Sequence, residues 1–213
     1  MQPVGILGGT FDPVHHGHLR LALELYETLD LASVHLIPLH DPSHRAAPET
    51  APKHRLAMLE QAVKDVHGLI ADDRELLRGG VSYTVDTLEE LRAELGPATP
   101  LCLFVGMDAF HGLQDWHRWE HIPALAHIVV VHRPGAILPD AGDCRRRLGL
   151  SLETDPGVLL ETLAGRLLLV DLPLLDISST RIRALLAAGR NPRYLLPEAV
   201  IGYLQTQQLY GVP

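Results

Sequence analysis

Read by its apolar positions, the chain alternates between strands and helices. Pro3 to Leu7 is a short apolar run that ends in Gly8-Gly9, the form of a buried parallel strand. From Gly17 to Leu29 the apolar residues Leu19, Ala22, Leu23, Tyr26 and Leu29 fall at helical spacing, and Ser33 to Pro38 reads as a second strand. Strand, glycine-rich turn, helix and strand within about forty residues make one βαβ unit. Further helices are expected over Pro52 to Val66, with Leu56, Leu59 and Val63 on one face, and over Val85 to Leu95. Two more run from Ser179 to Ala188, closed by Gly189, and from Pro197 to Gln207. Strands are expected at Leu101 to Val105, Ala126 to Val131 and Arg166 to Val170, with a short one inside 69–78. Between 135 and 165, Gly and Pro interrupt weak helical patterns.

This alternation predicts an α/β fold: a mainly parallel open sheet with helices on both faces. A single domain over 1–213 is expected, with a small C-terminal helical portion from about 178 packed on it.

Composition narrows the class. The chain is 46% hydrophobic and 21% charged, ordinary for a globular protein. A net charge of −8 argues against broad nucleic-acid binding, which needs a basic surface. Arg145-Arg146-Arg147 then reads as a solvated helix face. Cys102 and Cys144 sit in no paired motif, which fits a reducing compartment. The Leu-rich stretch from Leu167 to Leu175 is broken by Asp171 and Pro173, so no membrane span is expected. The N-terminus enters a strand pattern at once, without a signal peptide. The expectation is a soluble cytoplasmic protein; a homo-oligomer stays open.

The chemistry concentrates at residues 8–18, GGTFDPVHHGH. In an open α/β sheet a ligand sits beyond the carboxyl ends of the strands, where the first strand delivers this segment. Gly8 and Gly9 let the backbone approach a phosphate closely, and Thr10 and Phe11 offer N–H donors. Gly17 opens a helix, so His18 lies at an N-terminus that favours anions, and His15 can face the same space. The segment lacks the Lys-Ser/Thr of a P-loop and the third glycine of a dinucleotide fingerprint. Two imidazoles beside a glycine turn suit neutralising a polyphosphate as charge builds on a leaving pyrophosphate. Asp12 carries two readings, positioning a substrate or stabilising its own turn. No cysteine or carboxylate pattern completes a metal site with the clustered histidines, nor with His117 and His121.

These residues resemble the H-x-G-H nucleotidyltransferases, in the form found in bacterial nicotinate-nucleotide adenylyltransferases. The resemblance runs along nearly the whole chain. Ile177-Ser178-Ser179-Thr180-Arg181-Ile182-Arg183 resembles the I-S-S-T-x-I-R signature, and Ser82-Tyr83-Thr84-Val85-Asp86-Thr87-Leu88 the S-Y-T-x-D-T-L segment. Gly106-Met107-Asp108 is similar to the family's G-x-D, and Leu113, Trp116 and Trp119-Glu120 to its aromatic block. Pro42-Ser43-His44-Arg45 resembles a P-P-H-K/R loop with Ser43 in place of the second proline, and Arg133-Pro134-Gly135 also fits.

The resemblance implies a Rossmann-like fold, ATP with Mg²⁺, and transfer of AMP to nicotinate mononucleotide. It implies that His15 and His18 meet the ATP phosphates, and that Thr10 and Phe11 meet the nucleotide through their backbones. Ser178, Ser179, Thr180 and Arg183 would close over the phosphates, with Gly106 and Asp108 on the adenosine side and Arg133 near adenine or its ribose. Tyr83, Thr84, His44, Arg45 and Asp12 would serve the acceptor, with Trp116 stacked on its ring. The rivals are an adenylyl- or cytidylyltransferase of the same fold with another acceptor, of the phosphopantetheine type, and a non-catalytic nucleotide sensor.

Overall fold

The structure is a computed structural model that describes residues 1–42, 47–132, 140, 144 and 148–211. Seven parallel strands form its sheet: β1 (Val4–Gly9), β2 (Ser33–Pro38), β4 (Leu69–Ala71), β6 (Leu101–Gly106), β7 (His127–His132), β8 (Leu152–Glu153) and β9 (Leu167–Asp171). Their spatial order is β4-β2-β1-β6-β7-β9-β8. A separate parallel pair joins β3 (Asp41–Pro42) to β5 (Val81–Ser82) beyond the main sheet.

Alternation of side chains along each strand divides the core between the two faces. Leu7, Cys102, Phe104, Val129, Val131, Leu168 and Val170 point to one face. There they meet α1 (His16–Thr28), α2 (Pro52–Val63), α7 (Ser179–Ala187) and α8 (Glu198–Thr206). Ile6, Leu103, Val105, Ile128, Val130 and Leu169 point to the other face. That face is covered by α4 (Thr84–Leu95), α5 (Met107–His111) and α6 (Ile122–Leu125). The parallel sheet with two covered faces is the expected architecture. The strand at the centre has little room for side chains: a Cβ on Gly5 would lie 2.5 Å from the Phe104 ring.

Several local expectations shift. Of the stripe expected on α1, Ala22 and Leu29 are buried and Leu19 and Tyr26 pack partly buried against the same core, while Leu25 is buried where Leu23 was expected. In α2, Arg55, Met58, Leu59 and Val63 are buried and Leu56 is not. The helix stops at Val63, short of Val66. Within 69–78 only Leu69–Ala71 is a strand, and Arg74–Arg78 forms the short helix α3. At the start of α7 the Ser178 side chain caps the helix, accepting from the Arg181 N–H.

Candidate active site

The chain runs from β1 leftward to β2 and β4, then returns to place β6 and β7 on the other side of β1. The connections leaving β1 and β6 therefore diverge, and a crevice opens beyond their carboxyl ends. A cleft of about 890 Å³ occupies it, lined by Gly8, Gly9 and Thr10 at the end of β1 and by Gly106 at the end of β6. Glu75, Tyr83, Thr84, Asp108, Trp116 and His132 line its walls.

The loop that leaves β1 turns sharply. Phe11 is 1% exposed and held at φ 48°, a left-handed backbone that a bulky side chain seldom adopts. Its ring fills the space above Gly9, where a Cβ would come within 2.9 Å of it. The chain enters α1 with His15 as N-cap, and the His15 carbonyl accepts from the His18 and Leu19 N–H groups. The rings of His15 and His18 stack 3.7 Å apart, and Phe11 meets His18 edge-on at 5.0 Å.

Burial dominates the electrostatics of this pair. It lowers the His15 pKa to about 4, helped by nearby His16. Burial and then the neighbouring His15 hold His18 well below the usual histidine value. Both rings are neutral at pH 7 and can donate hydrogen bonds without carrying charge. Their Nδ1 atoms find no hydrogen-bond partner among the described residues. An arriving phosphate dianion would reverse the shift, because an adjacent negative charge favours the protonated ring.

The structure places the 178–183 segment against the back of the loop. Ser179 Oγ donates to the Pro13 carbonyl at 2.9 Å. The Arg183 guanidinium donates to the Asp12 carbonyl at 2.8 Å and to Glu49 at 2.7 Å. Ser178 and Thr180 are exposed. None of these residues lines the cleft, so Arg183 is engaged with protein groups where a phosphate contact was expected. Asp12 departs further from the acceptor-contact reading. It is 2% exposed, and its carboxylate accepts from the Tyr210 hydroxyl and, at 2.8 Å, from the Glu49 N–H. Its side chain ties the loop to two distant segments. His44, Arg45 and Arg133 lie outside the described residues.

In the cleft wall, Tyr83 N-caps α4 and its ring lies 4.2 Å from that of His117. Trp116 is partly buried against the core of that face, with the rest of its indole in the cleft. Thr87 also lines the cleft, but its side chain is buried and engaged with protein groups. Its hydroxyl donates to Glu75 at 2.6 Å and accepts from Arg78 at 2.9 Å.

Two residues at the site were not singled out in the sequence. Glu75 is buried at the cleft wall, and burial pushes its carboxyl up. Nothing in the short helix around it marks it out. Arg55 is fully buried and donates to the carbonyls of Thr10 (2.9 Å), His40 (3.3 Å) and Thr50 (3.1 Å). A signal existed there: Arg55 occupies the apolar stripe of α2, at helical spacing from Met58 and Leu59.

Comparison with known proteins agrees with this layout. The family model described as Cytidylyltransferase-like matches residues 6–185. A protein of Marinobacter nauticus named "Probable nicotinate-nucleotide adenylyltransferase" is 48% identical over 206 residues, 97% of this chain and 95% of its own. One of the same name from Methylococcus capsulatus is 47% identical over 98% of this chain and 99% of its own. Among solved structures, the nicotinic acid mononucleotide adenylyltransferase of Plasmodium falciparum, complexed with NaAD, aligns with a TM-score of 0.74. At 16% identity it covers 100% of this chain and 99% of its own, and so speaks for the fold. With near half of all positions identical from end to end, the chain belongs to the nicotinate-nucleotide adenylyltransferase family, within the cytidylyltransferase-like proteins.

Proposed function

We infer that the chain transfers AMP from ATP to nicotinate mononucleotide, releasing pyrophosphate and forming nicotinate adenine dinucleotide, a step of NAD biosynthesis. The observation that carries this reading is the cleft itself. One end is the β1 loop with the stacked His15 and His18 behind it, and the other is an aromatic wall of Tyr83 and Trp116. That is one end for a polyphosphate and one for a flat ring, joined by a backbone floor. The names of the full-length relatives support the same reaction.

An acceptor phosphate oxygen attacks the α-phosphorus in line, and pyrophosphate leaves. The nucleophile is already ionised at neutral pH, so the site needs no general base, and catalysis rests on positioning and charge stabilisation. The Thr10 and Phe11 backbone and the neutral imidazoles of His15 and His18 supply donors toward the phosphates. The Ser178–Thr180 and Arg183 segment holds the loop from behind. Trp116 stacks on the pyridine ring, while Gly106 and Asp108 face the adenosine. The family resemblance assigns His44 and Arg45 to the acceptor, and Arg133 to adenine or its ribose.

Among the described residues no group of three or more His, Cys, Asp or Glu side chains converges to hold a metal ion. In this reading Mg²⁺ would arrive with ATP and would offset the charge of its phosphates. The chain acts as one unit, since α7 and α8 bury Ile182, Leu186, Val200 and Leu204 in the core beneath the loop. No described helix is long and apolar enough to cross a membrane, and the reaction is assigned to the cytoplasm, where ATP is supplied.

Pyrophosphate release from Mg-ATP tests the assignment, with nicotinate mononucleotide, nicotinamide mononucleotide and phosphopantetheine offered in parallel. Turnover is expected with nicotinate mononucleotide as the preferred acceptor. Preference for phosphopantetheine would overturn the substrate and leave the fold untouched.

A further inference from the structure

Tyr210 lies at the opposite end of the chain from the β1 loop, yet its hydroxyl donates to the Asp12 carboxylate. Its backbone sits at φ 55° and ψ 29°, in the left-handed region that bulky residues avoid, and such a conformation persists only where the surroundings over-determine it. The ring packs on the apolar core of the α1 face. Burial and the adjoining Asp12 carboxylate push the phenol far above its usual range, so it remains a donor. Phenol to carboxylate is a charge-assisted bond, here between a half-buried ring and a buried carboxylate, and a low-dielectric setting strengthens such bonds.

The loop is tethered at its carbonyls as well. Arg55 holds Thr10, Arg183 holds Asp12, and Ser179 holds Pro13. In a planar trans peptide the C=O and the following N–H point in opposite directions. Drawing the Thr10 carbonyl toward Arg55 therefore turns the Phe11 N–H the other way. Tyr210 and the Glu49 N–H bind the one side chain at the middle of this arc, Asp12.

We propose that Tyr210 is a positioning residue for ATP: through Asp12 it fixes the backbone of residues 10–13 in the geometry that receives the phosphates. The last turn of the chain is then part of the site. This rests on the reading of the 8–18 segment as an ATP phosphate grip.

Tyr210→Phe keeps the ring and removes the donor, and the full chain is assayed well below its melting transition. The expected result is a fall of about tenfold in kcat/KM for Mg-ATP with the KM for nicotinate mononucleotide unchanged, in keeping with the sensitivity of in-line reactions to small misplacements. Asp12→Asn is expected to cost as much alone and little more in the double variant. Mg-ATP affinity by calorimetry carries the same comparison without turnover. An inactive wild-type protein would count against the assigned reaction, while a weaker ATP affinity in Tyr210→Phe would still support the clamp. Wild-type kinetics and affinity in Tyr210→Phe, or losses that multiply in the double variant, would overturn it. A rise in acceptor KM on Asp12→Asn alone would also overturn it, by giving Asp12 the acceptor contact.

Discussion

The imidazole rings of His15 and His18 lie face to face, 3.7 Å apart and 18° from parallel. Two cations in that arrangement would repel, and burial already disfavours the charged forms. The pair is thus a neutral donor surface set at the start of α1, beside a loop whose strain and tethers fix its path.

The strongest functional prediction follows from this pair. In the proposed reaction His18→Ala removes a donor to the phosphates, and donors of that kind are worth about 10²–10³ in turnover. Pyrophosphate release is expected to fall by that order while the far-ultraviolet circular dichroism stays unchanged. Wild-type turnover in the variant would remove His18 from the mechanism.

Burial of His15 also sets a pH dependence of stability. Its folded pKa of about 4 lies below the ordinary histidine value of 6.5. Between the two, the unfolded chain takes up a proton that the folded chain refuses, so stability is fully present above pH 6.5 and is lost as pH falls toward 4. The whole shift corresponds to about 3 kcal/mol. His127 adds in the same direction, its burial lowering its pKa. Urea midpoints are expected to drop between pH 7.5 and 5; a flat profile would show that the rings are not buried neutral.

Gly17 separates activity from stability. Helix propensity alone favours Ala over Gly by about 1 kcal/mol. A Cβ at this position, however, would stand 2.9 Å from His15 Nδ1. Gly17→Ala is expected to melt close to the wild type while losing most of its turnover, since the cheapest relief is rotation of the His15 ring.

At the other end of the cleft, Trp116→Ala is expected to raise the KM for nicotinate mononucleotide about fivefold to tenfold, the scale of one aromatic stack. The KM for ATP should not move. An equal rise in both would mark Trp116 as a packing residue only.

Arg55→Lys tests the loop's foundation. Lysine keeps the charge but lacks the fork that joins Thr10, His40 and Thr50. A stability loss of about 2–4 kcal/mol is expected, because buried carbonyls lose their donor. Denaturant unfolding measures it.

The main elements were legible because their signals are local. The period of the apolar residues gave the central strands and the long helices to within a few positions, and Ser178 announced the start of α7. The short pieces were not: Arg74–Arg78 and Val81–Ser82 are too brief to show a period, and their conformations follow from the neighbours they pack on. Within the stripe of α1 one choice was not legible: Leu19, Leu21, Leu23 and Leu25 ring the helix, and packing on the sheet buries Leu25 and not Leu23.

The cleft-lining residues Gly8, Gly9, Thr10, Tyr83, Thr84, Gly106, Asp108 and Trp116 were all named from sequence, because each lies at a strand end or in a motif. By itself, then, the sequence determined the alternating fold, the phosphate-type loop and the family motifs, all of which are written in short runs of residues. Tertiary structure decided what Asp12, Arg55, Arg183 and Tyr210 hold. Their partners are set by how distant segments pack, and the Tyr210–Asp12 bond spans 198 positions. Packing decided the protonation of the histidines as well, since burial is a property of the fold and not of the residue.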